Sequence, residues 1–459
     1  MFDNGPPEGT THVKIGFNDD GVLTAVHGKA VEGHGVCGGF REDKNRNALM
    51  LDMFAMTKCK NVKSEARALY LNTVRNVTHR GYRWGFAIVN MAFEAISAEL
   101  GMDPVEVILK NIHTTEPSLK ACIDAGKTLI DWNWHPANSK RLPNGRMHGL
   151  AAQAQVQARF GSRALIYMYL NTLGYADGKV YIPLGVPDIG VAMAESIAMV
   201  VAEELGARYE DVIANYAQYD PMSPNRLAFG SYGPCNAFSA KEAALDMKEM
   251  VCKAGAAKLK VTPEEVDTKD STVYVKADLT KSIAFDELGP FFASYDGAAV
   301  DWPGGIKSVD EGDKIYTMNA MFCEVEVDTD TGQVEIINLP CVPDAGKMIR
   351  PQSWENQLEG LLIWTIGQNM TEEYIWDKES GVLLNGSALE YKIPTLLDCD
   401  RIEHTTVETR SGGGAYGSVG IAEFVHSYVM VALAVHNAIG KWVSPPLTPD
   451  KVLAALGKA

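Results

Sequence analysis

The sequence predicts an α+β protein, with mixed sheets carrying packed helices. Three observations predict it. Some stretches alternate apolar and polar residues with a period of two, as half-buried strands do; the clearest are 13–17 with 22–26, and 321–338. Others repeat apolar residues every three or four positions, as one-sided helices do; the clearest are 85–100, 351–368 and 424–440. The two kinds do not alternate strictly, so a simple parallel βα array is not expected.

Val13, Ile15 and Phe17 form the first strand, Asn18-Asp19-Asp20-Gly21 a turn, and Val22, Thr24 and Val26 the return strand. A hairpin alone is marginal in water. It needs cover, and a partner chain is expected to supply part of it. The helix Gly85–Leu100 sets Val89, Phe93, Ile96 and Leu100 on one face and ends at Gly101. Asp103-Pro104 opens a second, short helix. Residues 116–144, with Pro117, Pro136 and Pro143, read as a connector.

Lys179–Leu184 is a strand that enters a helix through Gly185–Gly190. Ile197, Val200, Val201 and Leu205 are that helix's apolar face, and Gly206 ends it. The endings Glu99-Leu100-Gly101 and Glu204-Leu205-Gly206 are alike and suggest two α/β units of related design. In the hairpin 321–338, Cys323, Val325 and Val327 alternate with Glu324, Glu326 and Asp328. Asp330-Thr331-Gly332 turns the chain, and Val334 and Ile336 return it. A long helix spans Pro351–Gln368. The last helix, Phe424–Gly440, stripes Val425, Tyr428, Val429, Ala432, Val435 and Ile439.

Whole-chain numbers narrow the function. The 459 residues suffice for two or three domains. The net charge of −16 argues against a nucleic-acid surface, which needs clustered Lys and Arg. No apolar run approaches a membrane span, and the polar start at Met1–Gly9 is unlike a signal peptide. The eight cysteines are scattered, with no Cys-x-x-Cys pair, so reduced thiols in the cytoplasm are expected and an iron–sulfur cluster on this chain is not. His79, His148, His404, His426 and His436 show no metal-ligand spacing, so zinc is not expected either.

Five stretches in order resemble the molybdopterin-binding subunit of the xanthine dehydrogenase/aldehyde oxidase family. They are Thr78–Gly85 with the following helix to Asn111; Gly185–Gly206; Phe322–Pro351, with Asp344-Ala345-Gly346-Lys347 and Ile349-Arg350-Pro351; Asn356–Gly367 with Leu389–Thr395; and Gly412–Glu423. The resemblance spans nearly the whole chain and implies the C-terminal portion of that subunit. Residues 1–118 would be the end of a first molybdopterin-binding domain, 119–145 a connector and 146–459 a second such domain. The family's N-terminal molybdopterin region would lie on a partner chain, with [2Fe–2S] clusters and FAD on further subunits.

The resemblance also implies a molybdenum ion, or tungsten in its place, held by the pterin and not by side chains of this chain. Glycine-rich turns suit such a ligand because backbone N–H groups can approach it closely. The cofactor-binding candidates are Gly190, Val191 and Ala192, where the loop enters a helix N-terminus; Gly230 and Ser231; and Gly417, Ser418, Val419 and Gly420. The first loop serves equally as a tight strand-to-helix turn. Five glycines in ten residues at 411–420 favour a ligand-holding role.

Glu423 follows this stretch, and in the family a Glu after such a loop acts as the base. Its structural alternative is a carboxylate favoured by the helix dipole alone. Arg80 and Tyr82 match the segment that lines the substrate pocket, where they could equally pair with an acid and pack in the core. The expected reaction hydroxylates an aromatic heterocycle or an aldehyde carbon with oxygen from water. Departures from the pattern leave two other readings. Val191 stands where the family has Gln, Gly420-Ile421-Ala422-Glu423 inserts two residues before the Glu, and Pro234 removes a donor. A non-catalytic structural subunit, or a molybdopterin enzyme with a non-hydroxylase reaction, would fit these.

Overall fold

A computed structural model describes residues 9–34, 53–70, 84–112, 117–159, 163–172, 176–185, 188, 190–216, 233–298, 306–307, 313–398, 402–409, 414–418 and 427–458. Its first strands are β1 (Gly9–Phe17), β2 (Leu23–His34) and β3 (Val62–Tyr70), in the sheet order β1-β2-β3. The expected turn joins β1 to β2: Gly21 takes φ 77° and donates its N–H to the Asn18 carbonyl at 2.9 Å. Helix α1 (Trp84–Leu100) buries Val89, Phe93 and Ile96 as its spacing predicts. Helix α2 (Pro104–Asn111) is capped by Asp103, whose Oδ1 accepts the Val105 N–H at 2.8 Å. Buried Asn111 ties α2 to the first turn, accepting from Leu23 N and donating to the Gly21 carbonyl, both at 2.7 Å.

The segment expected as a connector is not irregular throughout. It holds helix α3 (Pro117–Leu129), which packs on strand β13 (Asp313–Val327). Leu119, Cys122 and Ile123 are its buried face, and a Cβ on Gly126 would overlap the Phe322 ring. The prolines mask this helix in the sequence, yet Pro117 sits at its start, where a missing N–H costs nothing.

Strand β4 (Met147–Arg159) lies antiparallel to β13 along its whole length, from Met147 opposite Val327 to Arg159 opposite Ile315. The free edge of β4 is covered by α1. Asn90 donates to the Ala154 carbonyl and accepts from its N–H, at 3.3 and 3.2 Å, so that edge cannot recruit another strand.

The second core is built on a four-stranded sheet. Strands β5 (Arg163–Leu170), β6 (Val180–Leu184), β7 (Val212–Tyr216) and β11 (Phe291–Ala298) run in the order β11-β5-β6-β7. Helix α4 (Met193–Leu205) carries the chain between β6 and β7, which are parallel, and Gly206 ends it at φ 69° as expected. The long helix α5 (Gly233–Leu259) packs across this sheet and against α4. The sequence reading missed it. Its buried face is mostly alanine (Ala237, Ala240, Ala243, Ala244), too small to stand out in an apolar pattern. A small sheet of β8 (Val266–Lys269), β9 (Thr272–Val275) and β10 (Asp278–Ala284) lies beside α5. The two similar helix endings have different sequels: Gly101 leads to α2, and Gly206 leads to β7.

The chain then returns to the first core. Strand β12 (Ile306–Lys307), β13, β14 (Val334–Asn338) and β15 (Cys341–Pro343) complete the sheet with β4, and β13–β14 is the hairpin expected at 321–338. Helix α6 (Pro351–Met370) follows as expected. The last predicted helix is shorter than its sequence pattern: α7 covers Met430–Ile439, wholly buried, and Glu423 and Val425 lie outside the described residues. Val429 and Gly440 flank it, and α8 (Pro449–Ala455) ends the fold. Among the described residues no helix is long and apolar enough to cross a membrane.

Candidate functional site

Two glycine-containing turns meet the seam between the two cores, and each is held by a residue from elsewhere in the chain. In the loop before α4, the Asp188 carboxylate accepts the N–H groups of Gly190 and Val191 at 2.8 and 2.9 Å. These two donors are thus already engaged. Gly190 takes φ 93°, and Gln357 on α6 donates to its carbonyl at 2.6 Å. Ala192 holds a left-handed backbone, φ 50° and ψ 52°, at the N-cap of α4, where no side chain caps the helix. A non-glycine residue pays for that conformation in strain. The result is a helix N-terminus with no side-chain cap, a place that favours a negative group.

The second turn is Gly414–Ser418. Gly417 N–H donates to the Gly414 carbonyl at 3.0 Å, Tyr416 takes φ 57° and Gly417 φ 81°. Ala415 is buried in the second core, while the Tyr416 hydroxyl donates to Glu204 at the end of α4. Lys241 of α5 lies over the Tyr416 ring, 5.3 Å from its centre, and 3.9 Å from the Glu204 carboxylate. Burial and the Glu204 bond push the Tyr416 phenol well above its ordinary range. Ser418 is 4 % exposed, and its Oγ is buried with no hydrogen-bond partner among the described residues. A buried hydroxyl without a partner costs about 1–3 kcal/mol, so a polar ligand there would recover that cost.

Asp344 joins this turn to the first core. It is 2 % exposed. Its Oδ2 accepts the hydroxyls of Ser118 on α3 and of Thr409, the latter at 2.6 Å, and its Oδ1 accepts the Gly346 N–H at 2.9 Å. The strip it shapes then pairs with the second turn: Gly346 bridges Ser418, and Lys347 N–H donates to the Gly417 carbonyl at 3.3 Å. The sequence reads Gln357 as a satisfied structural polar group and gives Asp344 no role beyond its place in the segment 344–347; the structure sets both against these loops. Apart from Gly346, two residues from Asp344, their partners lie 65 to 226 residues away in the chain, beyond the reach of any local pattern.

The structure brings Gly346–Lys347 against Gly417–Ser418, and it ties Gly190, at the start of α4, to Gln357 on α6, while Tyr416 reaches Glu204 at the other end of α4. Glu423, Arg80, Tyr82, Gly230, Ser231, Val419 and Gly420 lie outside the described residues. Among the described residues, no group of three His, Cys, Asp or Glu side chains is placed to hold a metal ion. Between them these segments offer an uncapped helix start, a hydroxyl without a partner among the described residues, and backbone of positive φ. That set suits a polar, anionic organic cofactor, with any metal ligated by the cofactor itself.

Comparison with known proteins agrees. A family model described as a molybdopterin cofactor-binding domain matches residues 147–400, and a second of the same description matches 2–112. The probable hypoxanthine oxidase XdhD of Escherichia coli K12 is 26 % identical over 97 % of this chain and 49 % of its own length. The putative xanthine dehydrogenase molybdenum-binding subunit XdhA of the same organism is 25 % identical over 84 % of this chain and 54 % of its own. Quinoline 2-oxidoreductase from Pseudomonas putida 86 superposes with a TM-score of 0.78 at 18 % identity, over 98 % of this chain and 62 % of that one, which shows a shared fold. The chain spans about half the length of the curated relatives it matches.

Proposed function

The chain belongs to the molybdopterin cofactor-binding domain family, and on that premise we propose that it is the C-terminal portion of the molybdopterin-binding part of a hydroxylase of the xanthine dehydrogenase/aldehyde oxidase type. Residues 1–118 and 146–459 would contribute to two such domains, joined by 119–145. Bound at the seam, the cofactor's molybdenum or tungsten supplies two-electron redox chemistry for hydroxylating an aromatic heterocycle or an aldehyde carbon with oxygen from water. Electrons would pass to [2Fe–2S] and FAD subunits in the cytoplasm.

The observation that carries this reading is the turn 414–418, which holds the Ser418 hydroxyl buried, with no partner among the described residues, beside backbone of positive φ. Ser418 would donate to a polar edge of the cofactor. Gly417 and Gly346 would let the backbone approach it, and the first turn of α4 after Gly190–Ala192 would face its negative charge. Asp344 and Gln357 act through these loops by holding them in place. Glu423 would be the base, Arg80 and Tyr82 would line the substrate pocket, and Gly230, Ser231, Val419 and Gly420 would complete the cradle.

One observation favours a second reading, a non-catalytic subunit: the N–H groups of Gly190 and Val191 are already taken by Asp188. Turnover in ¹⁸O-labelled water with an artificial electron acceptor, across heteroaromatic and aldehyde substrates, separates them. Labelled product with reduction of the acceptor is the expected result. Labelled product without reduction points to a non-redox reaction, and no product from a cofactor-loaded complex points to the non-catalytic subunit.

A further inference from the structure

One residue of the 414–418 turn holds a backbone conformation that its side chain disfavours. Tyr416 takes φ 57° and ψ 20°, and Gly417 after it takes φ 81°. Positive φ is a glycine's territory. A residue with a Cβ enters it against a bias of roughly tenfold, and a bulky one is seldom found there. Glycine stands at 412, 413, 414, 417 and 420. The left-handed position at 416 is nonetheless filled by tyrosine.

The side chain offsets this bias through contacts on the second core. Its hydroxyl donates to Glu204, the next-to-last residue of α4. Its ring faces the Lys241 ammonium of α5, 5.3 Å from the centre, and Lys241 lies 3.9 Å from the Glu204 carboxylate. The three groups close a circuit: phenol to carboxylate, carboxylate to ammonium, ammonium to aromatic face. A carboxylate acceptor makes the phenol's bond charge-assisted, and the ring face attracts the cation. Glycine at 416 would take the turn without strain and make none of these contacts. With the buried Ala415 methyl, Tyr416 fastens the turn to the second core. The turn's other side is held by backbone, through the Gly346–Ser418 bridge and the Lys347 N–H on the Gly417 carbonyl at 3.3 Å. The Tyr416 ring is 41 % exposed, so its contacts can break without unpacking either core.

We propose that Tyr416 is a latch: a positioning residue that, through Glu204 and Lys241, holds the 414–418 turn closed in a left-handed conformation, and whose release opens the turn to the polar cofactor. Backbone strain favours the open turn and the side-chain circuit favours the closed one, which makes the turn a two-state element. The gating of the cofactor rests on the reading of this turn as part of a molybdopterin site. The latch itself rests on the geometry alone.

Hydrogen exchange in the native complex, purified through a tag on this chain, tests the latch at the amides of Gly417, Ser418 and Lys347. Tyr416→Phe keeps the strain and loses the bond to Glu204. These three amides should then exchange about tenfold faster, while the Gly440 amide, bonded to the His436 carbonyl at the end of α7, should not change. Glu204→Gln keeps a neutral acceptor and should have a smaller effect than Glu204→Ala. The signature of strain is the order of two truncations. Tyr416→Ala removes the contacts and keeps the left-handed bias, whereas Tyr416→Gly removes both, so the alanine variant should open about threefold more readily. A side chain that only fills space predicts the reverse, because glycine frees the backbone. Wild-type exchange in Tyr416→Phe, or a glycine variant as loose as the alanine one, overturns the latch. Pterin lost on dialysis tests the gating: Tyr416→Phe should lose it faster by about the factor by which the turn opens. Faster exchange with unchanged pterin loss overturns the gating and leaves the latch. A complex that holds no pterin sinks the functional reading and the gating with it, and the exchange order still decides the latch.

Discussion

Replacing Asp344 by Ala should loosen the 414–418 turn from a distance. The buried carboxylate accepts three donors, from Ser118, Thr409 and Gly346. The Gly346 N–H cannot reorient, and leaving it buried and unpaired costs about 2 kcal/mol. Each hydroxyl can rotate toward another acceptor, so its loss costs about 1 kcal/mol. The sum, about 4 kcal/mol, is a shift of roughly a thousandfold in the opening equilibrium of this region. Hydrogen exchange reads it directly, because the Ala345 N–H donates to Val407 and the Lys347 N–H to Gly417. Both amides should exchange at least a hundredfold faster in Asp344→Ala, and less so in Asp344→Asn, which keeps one acceptor oxygen. Unchanged exchange at Lys347, or a global unfolding cost under about 1 kcal/mol, would refute the view that Asp344 holds the seam.

Three further outcomes follow from the same structure. Ser418→Ala removes a hydroxyl that makes no bond among the described residues, so the cofactor-free chain should unfold no more easily, and by denaturant titration about 1 kcal/mol less easily, while the complex should retain less pterin through purification. Gly149→Ala puts a methyl group into the Ala434 carbonyl, where α7 crosses β4; overpacking there should cost about 1–3 kcal/mol and appear as a lower melting temperature. His135, whose Nε2 lies 2.8 Å from Nδ1 of His148, has its pKa lowered below 6.5 by burial. The unfolded chain therefore binds the proton more tightly, so stability is lost as pH falls from about 6.5 toward the lowered value. A stability–pH profile of His135→Gln should be flatter in that window, and an unchanged profile would count against it.

Local features were legible in the sequence and long-range ones were not. The 18–21 turn, the Gly206 ending and the 321–338 hairpin each depend on neighbours within a few residues, and the structure has all three. Helix α5 escaped notice because an alanine face buries well without contrasting with its polar side. Helix α3 was hidden by prolines that flank it, and the apolar run before α7 was read as helix when the helix starts at Met430. The glycine-rich stretches were legible as turns, and the backbone takes positive φ at Gly190, Ala192 and Gly417. The supports, Asp344 and Gln357, could not be found that way, since their roles exist only once the two cores are packed together.

The most direct test of the account is metal and pterin analysis of the native complex, purified through a tag on this chain. The account predicts pterin with molybdenum or tungsten in stoichiometric amount to the chain, and loss of both on Asp344→Ala. Partner chains that co-purify in full with neither metal nor pterin would contradict it.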